Sequence, residues 1–327
     1  MAQYILRRVI AILPTLFLIT IFGFLVMEAP AGDFVTSYIV RQYGHGNTEA
    51  ARIEDELRSF FALDRPVYER FVTWLARFAQ GDFGDSFDLR RPVRDILNDR
   101  IGLTLTISLA TFAISWGIGI PLGVYSATHQ YSKTDNFLTT VTFVGLGLPD
   151  FLLALAFLIL GWQLTGEVLT GLQSVEFLDQ PWSPAKLLDL IKHMVIPVCA
   201  VVITGTAWVM RVMRANLLDQ LAPDYIKTRP PKGVPDRATI GKHAVKNSLH
   251  PLIAALGQTL AWLINGFTIT SIVLELPTIQ SVYLNATLQQ DVYLAGTILI
   301  LIGFLVLIGT LLADIILAWM DPRIRYE

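Results

Sequence analysis

Two acidic residues of this 327-residue chain stand inside otherwise apolar stretches, at Asp150 and Asp314. An ionisable side chain at membrane depth is costly, and it is retained where it lines a path, relays a proton or meets a partner. Asp150 directly follows Pro149, midway along its stretch. A proline there interrupts backbone bonding, and a broken helix would offer free backbone groups to a cavity. Asp150 therefore either lines a water or solute path or is satisfied by neighbouring helix ends. Asp314, near the end of the last apolar stretch, is within reach of interfacial water. One or two acids without a basic partner make a thin proton relay. Gln258, Trp262 and Asn265 fall at i, i+4 and i+7, so they share one helical face. That face either joins helices or lines a solute path, and both readings stand.

Motifs that would power or catalyse a reaction are missing from the sequence. Gly241-Lys242 lacks the upstream glycine of a phosphate-binding loop, and His243 follows where Ser or Thr should stand. No G-x-S-x-G, H-E-x-x-H or paired-cysteine motif occurs. The single cysteine, Cys199, lies in an apolar run, which excludes a disulfide within the chain. Energy for any pumping must come from a partner or from an ion gradient.

The longest polar stretch between late apolar segments runs from Arg211 to Pro251 and holds eight of the 25 Lys and Arg residues against Asp219, Asp224 and Asp236. Its two halves, 211–222 and 236–249, look helical and flank a glycine turn at Gly233. A bland reading is a basic connector touching lipid headgroups. Its length and helix–turn–helix pattern point instead to a docking element for another protein.

The rest of the chain positions these residues. With 53% apolar residues, 16% charged ones and a mean hydropathy of +0.53, it is built for lipid. Runs of 18 or more apolar residues cross a bilayer as helices, because lipid offers backbone groups no other partner. Six spans are expected: Val9 to Met27, then about 102–127, 137–162, 191–210, 252–274 and 293–319. The first competes with a signal-peptide reading, since Ala29-Pro-Ala31 loosely resembles a cleavage site, but the run exceeds a signal core. The third is interrupted by Gly145, Gly147 and Pro149-Asp150. Between the first two spans, 28–100 is polar, with a helical pattern from Glu49 to Leu63. Tyr68, Phe71, Trp74 and Phe78 follow as an amphipathic stripe, read as packing. The expected division is 1–27 (N-terminal end and first span), 28–100 (extracytoplasmic segment) and 101–327 (membrane core with the 211–251 loop).

Basic residues near span ends set orientation. They gather at Arg7 and Arg8, in 211–251, and at Arg323 and Arg325, whereas 163–190 has only Lys186 and 275–291 has none. Both termini and the 211–251 loop are therefore expected in the cytoplasm.

The loop resembles the cytoplasmic signature of permease subunits of binding-protein-dependent ATP-binding-cassette importers, specifically the dipeptide/oligopeptide type. The residues that carry it are Asp224-Tyr225-Ile226-Lys227-Thr228, then Lys232-Gly233, and Asn247-Ser248-Leu249-His250-Pro251. Tyr4 to Arg8 with Pro14, Leu63 to Pro66, Gly81 to Gly84 with Ser86-Phe87, Ile120 to Val124 and Asp321 to Arg325 extend the resemblance over nearly the whole chain. It implies an all-α, six-span permease of the type I importer architecture in a bacterial or archaeal inner membrane. It also implies a second homologous permease subunit, two cytosolic ATP-binding subunits and an extracytoplasmic solute-binding protein as partners, with no nucleic acid. By this match, Asp219, Asp224, Tyr225, Lys227, Thr228, Lys232, Gly233, Asn247 and Pro251 belong to the ATPase-coupling loop. The chain itself would be no enzyme and would bind no cofactor; ATP and Mg would sit on the partner ATPases.

Three departures cloud the solute more than the mechanism. Arg229-Pro230-Pro231 replaces a helix-friendly stretch, and neither proline can donate a backbone hydrogen bond. Leu274 to Gln280 and Gln290 to Gly296 look like a branch often linked to oligosaccharides, and Asp150 replaces a usually neutral residue. Peptide and small oligosaccharide both stand as cargo, with Pro149, Asp150, Gln258, Trp262 and Asn265 as candidates for the path. The alternative is an ion-coupled secondary transporter or channel without an ATPase.

Overall fold

The computed structural model describes residues 2–28, 34–43, 48–60, 63–178, 180–221 and 244–320, and the described residues are helical with short connections. The coupling-loop candidates Asp224, Tyr225, Lys227, Thr228, Lys232 and Gly233 lie outside them.

Helix α1 (Ala2–Glu28) is apolar from Val9 to Met27, with Arg7 and Arg8 near its start and Glu28 at its end. Helices α2 (Phe34–Tyr43) and α3 (Thr48–Phe60) follow, and then α4 (Val67–Phe78). The aromatic stripe of α4 is packing: Trp74 is buried, with its ring 5.5 Å from both Phe24 of α1 and Phe78. Tyr68, by contrast, is exposed. Arg70 forks onto Glu28 at 2.9 and 2.6 Å, a bidentate pair that pins α4 to the end of α1.

Helix α5 (Val93–Thr128) starts behind Pro92 and spans 36 residues. Helix α6 (Lys133–Gly147) is capped by Ser132, whose hydroxyl accepts from Asp135 N at 3.0 Å. Helix α7 (Asp150–Thr165) starts behind Pro149 and ends at Gly166, which takes the left-handed φ of 74° that favours glycine. The two halves of the expected third span thus form separate helices, bent by 100° at the Leu148-Pro149 break. At 15 and 16 residues each reaches roughly 22–24 Å, short of a hydrocarbon core.

Helix α8 (Pro184–Leu221) runs for 38 residues, roughly 57 Å, well beyond what a bilayer needs. The expected separate helix at 211–222 is in fact the continuation of this span. A single helical turn at Lys246–Ser248 leads into α9 (His250–Ala254), α10 (Leu256–Asn265) and α11 (Thr268–Val273). The expected fifth span is therefore three short pieces rather than one rod. Helix α12 (Ile279–Leu288) precedes α13 (Val292–Met320).

Among the described residues four helices are long and apolar enough to cross a membrane (α1, α5, α8 and α13), or up to five if the bent α6–α7 pair counts as one. The architecture is an all-α membrane protein, and the count of six continuous spans is not reproduced. The physical reason lies at positions 145–149 and 249–267, where proline, glycine and one-turn irregularities interrupt the helical bonding.

Small residues bring the longest helices together. A Cβ at Gly123 of α5 would lie 2.7 Å from Met213 Cβ and 2.9 Å from Met210 O of α8. Gly257 and Gly309 do the same for α10 and α13, with a Cβ at Gly309 falling 2.7 Å from Gly257 Cα. Close backbone approach of this kind is how helices gain dispersion energy in lipid, where no hydrophobic force drives them together.

Polar ties sort the helix ends to two sides. Arg8, near the start of α1, meets Asp314, near the end of α13, at 3.2 Å. Arg214, late in α8, reaches Asp135 beside the α5–α6 turn. The opposite ends are joined by Ser86 to Asp291 and by Gly171 N donating to Leu274 O at 2.8 Å. One face thus gathers the start of α1, the α5–α6 turn, the end of α8 and the end of α13. The other gathers 63–92, 166–183 and 274–291.

Candidate translocation site

A cavity of about 450 Å³ opens between α5, α8 and α10, with the end of α6 closing one edge. Phe112, Ser115 and Trp116 come from α5, spaced by three and four so that they share a face. Thr204, Gly205, Trp208 and Val209 come from α8, and Ala255, Gln258, Thr259 and Trp262 from the α9–α10 segment. Gln258 and Trp262 are on this wall together with Thr259, as their i, i+4 spacing requires; Leu146 of α6 completes it.

The lining is aromatic and hydroxylic, with one amide and no charged side chain. Such a surface solvates an uncharged or ring-bearing part of a solute through dispersion and stacking, and offers few fixed hydrogen bonds to hold it. Gln258 is exposed and Trp262 keeps 39% of its surface free, so both are available to whatever enters. Phe112 and Trp116, one turn apart on α5, pack with centroids 4.8 Å apart and rings tilted by 35°. Asn265 ends α10, and its side chain is outside the described set.

Pro149 and Asp150 are placed elsewhere. Pro149 caps α7, and Asp150 is its first residue, where the partial positive charge of a helix start favours a carboxylate. Asp150 Oδ1 accepts from Phe151 N at 3.1 Å. The carboxyl faces Thr270 of α11, yet neither Asp150 Oδ2 nor Thr270 Oγ1 meets a hydrogen-bond partner in bonding geometry. Asp150 does not line the cavity that holds Gln258 and Trp262.

Of the coupling-loop candidates, the described ones flank the loop. Asp219 is exposed two residues before the end of α8, Asn247 is exposed on the helical turn, and Pro251 occupies the first turn of α9. The roots of the loop are packed together: Met213 and Leu217 of α8 cluster with Ala127 of α5 and with Ala244 and Leu252 beyond the loop. Among the described residues, no group of three His, Cys, Asp or Glu converges as a metal site would need.

Sequence reasoning missed Phe112, Trp116 and Trp208 as cavity walls and Asp135–Arg214 as an interhelical tie. A signal existed for the tryptophans, since Trp residues in membrane helices favour the two interfaces and these two lie well inside their helices. Asp135 carried no signal, because its partner is 79 positions away.

The fold is that of a helical membrane protein with a cavity between its helices. Residues 119–326 match the model of the binding-protein-dependent transport system inner membrane component, and the chain belongs to that family. It is 31% identical, over the full length of both chains, to the oligopeptide transport system permease protein AppB of Bacillus subtilis. It is 28% identical, again over the full length of both, to the oligopeptide transport system permease protein OppB of Haemophilus influenzae.

Proposed function

We propose that this chain is one permease subunit of an ATP-driven importer that carries oligopeptides across the inner membrane into the cytoplasm. The observation that carries this reading is the end-to-end similarity to proteins named oligopeptide permeases. A match confined to the membrane core would speak only for the fold, whereas this one includes the 28–100 and 163–190 segments. The neutral, aromatic cavity between α5, α8 and α10 is compatible with a path that must pass varied side chains without binding any tightly.

In this reading the chain pairs with a second homologous permease, and two ATP-binding subunits sit against the face that carries the α5–α6 turn and the end of α8. That face is cytoplasmic and holds both termini. Asp224 to Gly233 make the contact with the ATPase, and ATP and Mg are held by those partners. A solute-binding protein delivers cargo to 28–100 and 163–190. Gln258 and Trp262 line the path, and hydrolysis on the partners drives alternating access. The relatives' names favour peptides over the oligosaccharides that Leu274 to Gln280 also suggested.

The decisive experiment is mild-detergent purification of the tagged chain with its companions identified by mass. A second permease and an ATPase are expected, and peptide uptake by the reconstituted complex should require ATP. A folded chain recovered alone, with proton-dependent transport lost in Asp150→Asn, would replace this reading by an ion-coupled carrier. Within the importer, Gly233→Pro or removal of Tyr225 to Lys232 should abolish uptake while leaving the protein in the membrane; normal uptake would remove the coupling role from the loop.

A further inference from the structure

Asp135 is almost wholly buried, and its carboxylate is met by donors on both oxygens. Oδ1 accepts from Ser126 Oγ of α5, from Arg214 Nε of α8 at 3.0 Å and from Thr139 Oγ1 at 3.4 Å. Oδ2 accepts from Arg214 Nη2 at 2.9 Å and from Tyr131 N at 2.9 Å. Arg214 Nε also donates to Ser126 Oγ at 2.9 Å. The fork of the guanidinium thus closes on both carboxylate oxygens, a geometry a lysine cannot reproduce. Three helices meet at this clasp. Tyr131 pays for it with a left-handed φ of 63°, which turns its N–H toward the carboxylate.

The clasp sits at one end of a lever. Helix α6 lies along α8 from Asp135 upward: Thr142 Oγ1 reaches Met210 Sδ at 3.2 Å, and Arg211 stacks over the Phe143 ring at 5.6 Å. At its far end Leu146 forms the cavity edge, just before the 100° bend into α7. Helix α8 itself runs unbroken by proline from the cavity wall at Thr204 to Leu221, where the proposed coupling loop begins. Arg214 lies between those two points. A displacement applied at Leu221 therefore reaches α8 directly. It passes to α5 and α6 through their packing along α8, as at Gly123 against Met213, and through the clasp, which alone among the described residues ties all three helices by charged hydrogen bonds near the loop.

We propose that the Ser126–Asp135–Arg214 clasp is the transmission joint of this subunit: it makes α5, α6 and α8 move as one body when the ATPases close, so that the cavity wall follows the coupling loop. Arg214 and Asp135 are positioning residues in this scheme, touching neither cargo nor ATP. The proposal rests on the importer reading above and adds where in the subunit the stroke is passed on. A buried ion pair is poor evidence for stability, since apolar side chains often do as well. A joint that must hold one geometry under load is a better account of so saturated a carboxylate.

The test uses the complete complex, purified through the tagged chain and reconstituted in liposomes with its binding protein. A pool of tri- to hexapeptides serves as cargo. Uptake and ATP hydrolysis are read together. Arg214→Lys keeps the charge but loses the fork, and it is expected to lower peptides imported per ATP at least tenfold. Subunit composition should be unchanged, and basal hydrolysis should stay within about twofold. Asp135→Asn should do the same, and the double variant should be no worse than either single one, because the two act as a unit. Ser126→Ala removes one bond of the clasp and should give an intermediate ratio, which keeps the test intact if Asp135→Asn fails to assemble. A wild-type ratio in Arg214→Lys overturns the joint. So does a proportional fall of uptake and hydrolysis, or additive losses in the double variant. A wild-type complex that hydrolyses ATP without importing peptide overturns the importer reading, and the joint with it.

Discussion

Ser86 donates its hydroxyl to Asp291 across 205 positions of sequence, at 2.6 Å between Oγ and Oδ2 in a fully buried setting. The same carboxylate caps α13 through Leu294 N at 3.2 Å and accepts from Asp88 N at 3.2 Å. This one group closes the turn ahead of α5 and starts the last helix, and Phe87 seats beside Tyr293 at 4.9 Å as its apolar cover. It is the counterpart, on the opposite face, of the Asp135–Arg214 clasp.

Removing the Ser86 hydroxyl should therefore weaken the face that gathers 63–92, 166–183 and 274–291. Ser86→Ala is expected to cost about 1–3 kcal/mol, the range for taking a hydrogen-bond partner from a buried polar group. Thermal unfolding in detergent, followed by tryptophan fluorescence, would measure it. A change within about 0.5 kcal/mol, the scatter of ordinary surface substitutions, would assign no stabilising role to this contact.

Burial pushes the Asp291 carboxyl above its ordinary value of 3.8, against the pull of Ser86 and the backbone N–H groups. The folded protein then binds this proton more tightly than the unfolded chain, so Asp291 erodes stability as pH rises from 3.8 through the folded-state value. The unfolding midpoint should carry a downward component across that window, and Asp291→Asn should remove it. Identical pH slopes in the two proteins would show that the carboxylate is not the group responsible.

Gly123 tests the packing of α5 on α8. Gly123→Val places methyl groups where Met213 Cβ already stands at 2.7 Å, and overpacking of this kind costs about 1–3 kcal/mol or more. Gly102→Ala on the same helix meets nothing within 4 Å and should be silent. Yield of folded protein from membranes, compared between the two, is the simplest readout.

The cavity can be filled without touching the clasp. Gln258→Trp adds bulk to the wall facing Trp116 and Trp208, and it should reduce peptide uptake at least tenfold while ATP hydrolysis by the partners persists. Full uptake in this variant would move the path away from the α5–α8–α10 cavity.

Asp150 separates the two transport classes. In an ATP-driven importer, Asp150→Asn leaves uptake within about threefold of wild type and independent of a proton gradient, because no proton relay is in use. Loss of uptake together with loss of proton dependence would favour the ion-coupled class.

Much of this protein was legible without coordinates. The apolar runs at 9–27, 102–127, 191–210 and 293–319 announced four long helices, because lipid leaves an 18-residue apolar stretch no alternative to internal backbone bonding. The aromatic stripe of α4 and the shared face of Gln258 and Trp262 followed from helical period alone. What needed the tertiary structure depends on distance in sequence or on breaks in the period. No spacing rule pairs Asp135 with Arg214 or Ser86 with Asp291. Pro149 announced an interruption, but only packing against α8 and α11 decided that it is a 100° bend. Pro251, Gly257 and Gly266 in 250–273 did not by themselves decide that three short helices replace one rod. Local chemistry determined which segments enter the membrane and which residues face together on one helix. Where those helices touch, and hence the cavity and the two polar clasps, was decided by contacts between segments that the chain visits far apart.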